Sequence, residues 1–170
     1  MSERRFEVFV SKDSFKFNAA HFMAYDGFRE RLHGHNYRVS VRVEGRLNAD
    51  GYVIDFGDIK RAANTICEQM NERVLIPERS DCLRIERSDT EVSITCRDGS
   101  RFVLPAADCA FLPIAHSSAE ELADYVCDRL LERLPALAAR GVSAVEVAVA
   151  EAPPQEARCR RSLAPVRRES

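Results

Sequence analysis

Two of the four histidines of the chain lie one residue apart in the segment FRERLHGHNY, residues 28–37. Residues two apart in a β-strand project to the same face, so His33 and His35 would point together. The glycine between them, Gly34, allows another backbone to approach closely. Neutral imidazole is a good ligand for Zn²⁺. The spacing therefore indicates a metal site, although a His-x-His pair alone is also common in proteins that bind no metal.

A third histidine, His21, ends the preceding segment on the face that it shares with Phe15 and Phe17. If this segment pairs with the one that contains His33, three imidazoles converge. Three protein ligands and one open position form the pattern of a catalytic zinc site. The fourth histidine, His116, lies in a loop before a helix cap, where a loop residue is more typical than a ligand.

The elements that would position these side chains follow from the periodicity of the apolar residues. Alternation predicts strands over 5–21 and 33–45, and helical spacing predicts a helix from about 56 to 73 behind the N-cap Asp55. The capping box Ser117-x-x-Glu120 predicts the start of a second helix. The remaining predicted elements are a three-strand meander over 83–104, within an inserted segment of about 80–106, and two closing strands, VSAVEVAVAE and ARCRRSL.

This order, β-β-α-α-β-β with an inserted meander, predicts one α+β domain over residues 1–170. Its two helices would pack on one face of an antiparallel sheet. The sheet would have open edges, and association between subunits is a common way of covering them. We therefore expect a homo-oligomer.

The composition excludes several classes of protein. The formal net charge is −2 at pH 7, which gives no overall attraction to nucleic acid or to an anionic membrane. No apolar run approaches the ~18 residues of a membrane span. The six cysteines show no C-x-x-C spacing and are typical of free thiols, so we expect a cytoplasmic protein. The late arginines predict either a solvated tail or a local anion site on one of the first three: Arg158, Arg160, Arg161, Arg167 and Arg168.

Several segments together are more specific than the histidine spacing. The succession FNAAHF, LHGHNYRVSVRVEG and GYVIDFGDIK resembles the 6-pyruvoyl-tetrahydropterin synthase and 6-carboxytetrahydropterin synthase family. The likeness is good over residues 14–76 and resumes at SSAEELADYV and VEVAVAEAP. It implies the tunnelling fold (T-fold), in which subunits form a trimeric barrel and then a hexamer.

The resemblance also implies roles for particular residues. The zinc ligands would be His21, His33 and His35, and the metal would polarise oxygens of a pterin side chain. Glu151 would clamp the pterin ring, because a carboxylate can accept two N–H bonds from it. Ser118 matches a hydroxyl position near the pterin and is also suited to capping the second helix.

The chain departs from the usual family pattern at the catalytic base. Most members have a cysteine shortly before His-Gly-His, whereas this chain has none between residues 18 and 66, and Arg29 stands where carboxy-type members have it. Glu30 is the nearest group able to accept a proton. The segment resembles a subgroup in which glutamate replaces the cysteine and which cleaves dihydroneopterin triphosphate toward 6-hydroxymethyl-7,8-dihydropterin, a folate precursor.

A second departure leaves alternatives open. The Asp-His pair that the family carries after the first helix is replaced by Met70-Asn71-Glu72-Arg73, so Glu72 or His116 would have to relay protons, or the reaction differs. The leading hypothesis is a zinc-dependent lyase acting on a reduced pterin, giving 6-hydroxymethyl-7,8-dihydropterin or 6-pyruvoyl-tetrahydropterin. The alternatives are a 6-carboxytetrahydropterin synthase of deazapurine (queuosine) synthesis and a zinc-bearing oligomer that binds pterins or purines without turnover.

Overall fold

The computed structural model of the chain describes residues 4–163. Two α-helices and eleven strands occur in that range. The helices are α1 (Phe56–Met70) and α2 (Ala119–Arg133). The strands are β1 (Phe6–His21), β2 (Ala24–Tyr25), β3 (Phe28–Arg29), β4 (His33–Gly45), β5 (Arg73–Pro77), β6 (Leu83–Arg87), β7 (Glu91–Cys96), β8 (Arg101–Pro105), β9 (Cys109–Leu112), β10 (Val142–Ala152) and β11 (Gln155–Ser162).

Strands β1 and β4 form the centre of the main sheet and pair antiparallel, as the alternation predicts. The pairing places His21 opposite His33 and Ala19 opposite His35. A β-carbon at Gly34 would lie 3.2 Å from the carbonyl oxygen of Ala19. Glycine at this position therefore lets the two backbones approach at the ends of the strands that carry the histidines.

Both helices pack on one face of this sheet, as predicted. The N-terminus of α1 is capped by Asp55, whose Oδ1 accepts from the backbone N–H of Gly57 at 2.7 Å. The buried stripe of α1 and that of α2 meet the inward side chains of β1, β4 and β10 in one apolar core. The core includes Phe17, Tyr37 and Ile66, each of which has no solvent-exposed surface.

The main sheet has six strands in the order β11-β10-β4-β1-β5-β9. The four antiparallel strands are those that the sequence predicts. Strands β5 and β9 extend the sheet beside β1, and they pair in parallel. They are short apolar segments without alternation, which explains why periodicity does not separate them from loops.

The inserted segment folds as the predicted meander, in the order β6-β7-β8, and forms a separate three-stranded sheet. Its inner side chains, Val92, Ile94 and Cys96, pack with Phe22 and Ala24 in a second small core. Phe22 and Ala24 flank the start of a short hairpin, β2–β3. The insertion therefore packs on the chain between His21 and His33.

The arginines of β11 lie on the sheet instead of forming a solvated tail. Arg160 pairs with Glu44, with a nitrogen–oxygen distance of 2.5 Å, and Arg158 pairs with Glu146 and Glu156. Arg161 pairs with two aspartates of α2. These partners compete with an external anion, while Arg167 and Arg168 lie outside the described residues.

Candidate metal centre and active site

The three predicted histidines converge at one end of the β1–β4 pair. One ligating nitrogen from each of His21, His33 and His35 lies within 4.8 Å of the other two. The Nε2 atoms of His33 and His35 are 3.0 Å apart. His21 is 2% exposed, and the other two rings are half-buried. The cluster therefore has one buried ligand and two that are partly accessible to solvent.

The orientation of two of the rings is set by backbone carbonyls. The Nδ1 of His21 donates to the carbonyl oxygen of Ser117 at 2.9 Å, and that of His33 donates to the carbonyl oxygen of Arg31 at 2.8 Å. A proton on Nδ1 leaves a lone pair on Nε2, which is the tautomer that a metal requires. The Nε2 of His21 is buried and has no hydrogen-bond partner within residues 4–163.

This donor set fits a divalent cation. A buried nitrogen without a partner is costly, and a bound cation would satisfy it together with the two neighbouring nitrogens. Burial is the main cause that lowers the pKa of His21, although the hydrogen bond to Ser117 opposes it. The ring is therefore in its neutral, ligating form at pH 7.

Glu30 lies beside the cluster in the loop between β3 and β4. Its Oε1 is 3.8 Å from the Nε2 of His33, and its Oε2 accepts from the backbone N–H of Met23 at 3.2 Å. The backbone N–H of Glu30 donates to the carbonyl of Met23 at 2.8 Å. The carboxylate is thus held next to the Nε2 of His33, while the side chain of Arg29 reaches toward the inserted sheet.

Glu151 lies at the end of β10, near enough to affect the electrostatics of His21 and Tyr37. Tyr37 is fully buried against the histidines, with its ring centroid 5.5 Å from that of His35. Its hydroxyl has no hydrogen-bond partner in the described part of the chain. Sequence reasoning missed Tyr37, although it shares the strand face of His33 and His35.

The capping box predicts Ser117 as the N-cap of α2, but the structure gives the two serines before this helix other roles. Ser118, and not Ser117, caps the helix, and its hydroxyl accepts from the backbone N–H of Glu121 at 3.3 Å. Ser117 is fully buried, and its hydroxyl donates to the carbonyl of Phe22 at 3.1 Å. Only one of two adjacent serines can be the N-cap. The other, Ser117, orients His21 by accepting a hydrogen bond from its Nδ1.

Neither of the two candidates for a proton relay belongs to the cluster of nitrogens. Glu72 follows α1 with a positive φ of 56° and lines an open groove that also contains Asn36 and His35. His116 is half-buried and is not part of the three-histidine group. In the described part of the chain, Glu30 forms its side-chain contacts with Met23 and His33 and with neither relay candidate, so Glu72 and His116 remain alternatives.

The 6-pyruvoyl tetrahydropterin synthase family model matches residues 10–162. The chain belongs to this family. It is accordingly an enzyme of the lyase type that the sequence predicts, with the T-fold. A crystal structure of 6-pyruvoyl tetrahydropterin synthase from Plasmodium vivax is 42% identical and superimposes with a TM-score of 0.91, covering 95% of this chain and 100% of that one.

Other relatives carry further names. Two more P. vivax structures, with the same similarity, are of variants in which a catalytic glutamate is replaced by alanine or by cysteine. A 6-carboxy-5,6,7,8-tetrahydropterin synthase from Haemophilus influenzae is 28% identical over 127 residues, which are 71% of this chain and 80% of the relative. A dihydroneopterin monophosphate aldolase from Pyrococcus furiosus is 36% identical over 59 residues, or 35% of this chain and 50% of the relative.

Proposed function

We propose that the enzyme cleaves the side chain of 7,8-dihydroneopterin triphosphate, or of a related reduced pterin, to give 6-hydroxymethyl-7,8-dihydropterin. His21, His33 and His35 would hold Zn²⁺. When bound, the metal supplies a Lewis acid that polarises the hydroxyl oxygens of the side chain. The observation that carries the proposal is the Glu30 carboxylate, held 3.8 Å from His33 where most family members place their base in a cysteine.

Glu30 is suited to moving the proton that this cleavage requires. The bond between the first and second side-chain carbons breaks, the hydroxyl of the second carbon loses its proton to become a carbonyl, and the first carbon gains a proton. The reaction therefore balances without an oxidant or reductant. Glu30 accepts the hydroxyl proton. The backbone N–H of Met23 donates to its carboxylate, and the backbone N–H of Glu30 donates to the carbonyl of Met23, which keeps the residue in place.

Glu151 is the proposed anchor for the pterin ring, and Ser118 is a second proposed contact. Glu151 lies on the same side of the sheet as the histidines, within electrostatic range of His21. A carboxylate there can accept two N–H bonds from the ring and fix which side-chain carbon faces Glu30. The same contacts would serve 6-pyruvoyl-tetrahydropterin formation, in which a carbon–oxygen bond breaks and triphosphate leaves.

The test is to incubate zinc-loaded protein with 7,8-dihydroneopterin triphosphate and identify the products by mass spectrometry. We expect 6-hydroxymethyl-7,8-dihydropterin and a two-carbon aldehyde that carries the phosphates. Glu30→Gln should lower kcat by roughly 100- to 10,000-fold with unchanged zinc content, because only the proton acceptor is lost. Glu132→Gln, which removes an exposed carboxylate of α2, is the control. Substrate left intact by zinc-loaded protein would refute the proposal.

The second candidate is 6-carboxytetrahydropterin synthesis, and the name of the H. influenzae relative favours it. The arginine at position 29 speaks against it, because carboxy-type members carry their cysteine there. The product separates the two, since this reaction leaves a carboxyl group on the pterin and the leading one leaves a hydroxymethyl group.

A homo-oligomer built on trimers, a hexamer in its full form, is also part of the proposal. Strands β9 and β11 are the outer strands of the main sheet, and a second copy could pair with either. The mass in solution, compared with 19.2 kDa for one chain, tests this.

A cytoplasmic location is a further part of the proposal. The six cysteines are all free thiols, and free thiols are typical of proteins in a reducing compartment. Within residues 4–163, no helix is long and apolar enough to cross a membrane.

A further inference from the structure

The inserted sheet contacts the segment that carries Glu30 through one guanidinium group. The Nε of Arg29 lies 2.7 Å from Oδ2 of Asp98, in the turn between β7 and β8. The Nη1 of the same side chain donates to the carbonyl oxygen of Glu30 at 3.0 Å. Arg29 therefore joins the turn of the insertion to the backbone of Glu30. Its rigid, planar fork is suited to holding two acceptors at once.

Asp98 is itself fixed in position. Its Oδ1 accepts from the backbone N–H of Ser100 at 2.9 Å, and Gly99 takes a positive φ of 82° that completes the turn. The hydrogen bond from Arg29 is the main cause that lowers the pKa of Asp98 to about 2, so the pair stays charged near neutral pH. Both carboxylate oxygens of Asp98 therefore accept a hydrogen bond, Oδ2 from Arg29 and Oδ1 from Ser100.

Further contacts tie the rest of the hairpin to the insertion. Arg97 pairs with Asp26 in the β2–β3 turn at 2.7 Å, and Phe22 stacks on Phe102 of β8 with ring centroids 4.8 Å apart. The β2–β3 hairpin forms a sheet of its own and has no ladder to the main sheet. The insertion therefore supplies a large part of what holds it between the two histidine strands, together with the hydrogen bond from Ser117 to Phe22.

We propose that the inserted sheet positions Glu30 for catalysis and that Arg29 and Asp98 are the positioning residues. The inference rests on the role proposed above for Glu30. The carboxylate of Glu30 accepts one hydrogen bond, from the backbone N–H of Met23, and the backbone N–H of Glu30 donates to the carbonyl of Met23. Arg29 donates to the backbone carbonyl of the same residue, Glu30. Loss of the Arg29 contact frees that end of Glu30. A displacement of about 1 Å at a catalytic group can cost roughly 100-fold in rate.

The test compares Asp98→Ala with Glu86→Gln. Glu86 is an exposed carboxylate of β6 that pairs with Arg84 of the same strand, so its variant is the matched control. Asp98→Ala should lower kcat roughly 10- to 100-fold with little change in KM or in zinc content. It should also speed hydrogen exchange at the backbone amides of Met23 and Glu30. Thermal stability should fall only slightly, because the variant loses one partly exposed ion pair and one turn hydrogen bond, each of which contributes little.

Two further variants separate positioning from charge. Asp98→Glu keeps the carboxylate and should restore part of kcat. Arg29→Lys keeps the positive charge but replaces the two separate donor nitrogens, Nε and Nη1, with a single ammonium that does not reproduce their geometry, so it should behave as Asp98→Ala does. Unchanged kcat and unchanged exchange in Asp98→Ala would overturn the proposal. A different result would separate the two proposals. If hydrogen exchange is faster in Asp98→Ala but Glu30→Gln keeps full activity, the catalytic role of Glu30 is rejected, whereas the contact between the insertion and Glu30 is supported.

Discussion

Tyr37 contributes a polar atom that the proposed site does not otherwise use. Its ring is fully buried and stacks on Phe17 with centroids 4.6 Å apart, yet its hydroxyl has no partner among residues 4–163. Burial is the main cause that raises its pKa, so the hydroxyl stays protonated near neutral pH. A buried hydroxyl without a partner does not stabilise the fold.

Tyr37→Phe should accordingly leave stability unchanged or raise it by up to about 1 kcal/mol, because it removes an unsatisfied group and keeps the ring. The measurement is the urea midpoint of the metal-free protein at fixed protein concentration. Phe17→Leu, which loses the stacked ring, should lower the midpoint and shows that the assay responds. A fall of more than ~1 kcal/mol in Tyr37→Phe would mean that the hydroxyl has a partner, such as an ordered water.

At this scale the sequence predicted the histidine cluster for a simple physical reason. The side-chain period of a strand is two, so His33 and His35 must share a face once the segment is extended. The hydroxyl of Ser117 was out of reach, because it meets Phe22 through a contact that spans 95 residues of chain. No local pattern encodes such a contact, and the capping preference of serine favoured the wrong member of the pair.

Ser118 links the element scale to the site, because it caps α2 and is also a proposed pterin contact. Ser118→Ala should lower stability by about 1 kcal/mol, since the N–H of Glu121 loses its acceptor. Ser118→Asp should retain most of the stability, because aspartate is an equally good N-cap. The urea midpoints of the two metal-free variants test this. Equal losses in both would contradict the capping role, and a higher KM in both would support the pterin contact.

The elements themselves were predictable wherever a period is sustained. Strand β4 matches its predicted range of 33–45, and α1 ends three residues before the predicted limit of 73. Strands β5 and β9 were missed because they are five and four residues long and pair in parallel inside the fold. The insertion was recognised as a meander, but its packing on the β2–β3 hairpin comes from tertiary contacts that alternation does not encode.

On the scale of the whole molecule, the metal site joins segments that are distant in the sequence. His21 and His33 belong to different strands, and the carbonyl that orients His21 comes from Ser117, 96 residues away. The geometry therefore exists only in the folded chain. A ligand that binds the folded chain and not the unfolded one stabilises it by mass action.

Zinc should therefore raise the melting temperature of the protein. At a free zinc concentration of 100 times its Kd, the gain is about 2.7 kcal/mol. At about 2–4 °C per kcal/mol for a chain of this size, that corresponds to roughly 5–10 °C. Six cysteines in the unfolded chain can also bind zinc and reduce the shift. The decisive comparison is thus His33→Ala, which keeps every cysteine and should lose most of the shift, with His116→Ala, which should keep it. Equal shifts in the two variants, measured by calorimetry before and after chelation, would place the metal elsewhere.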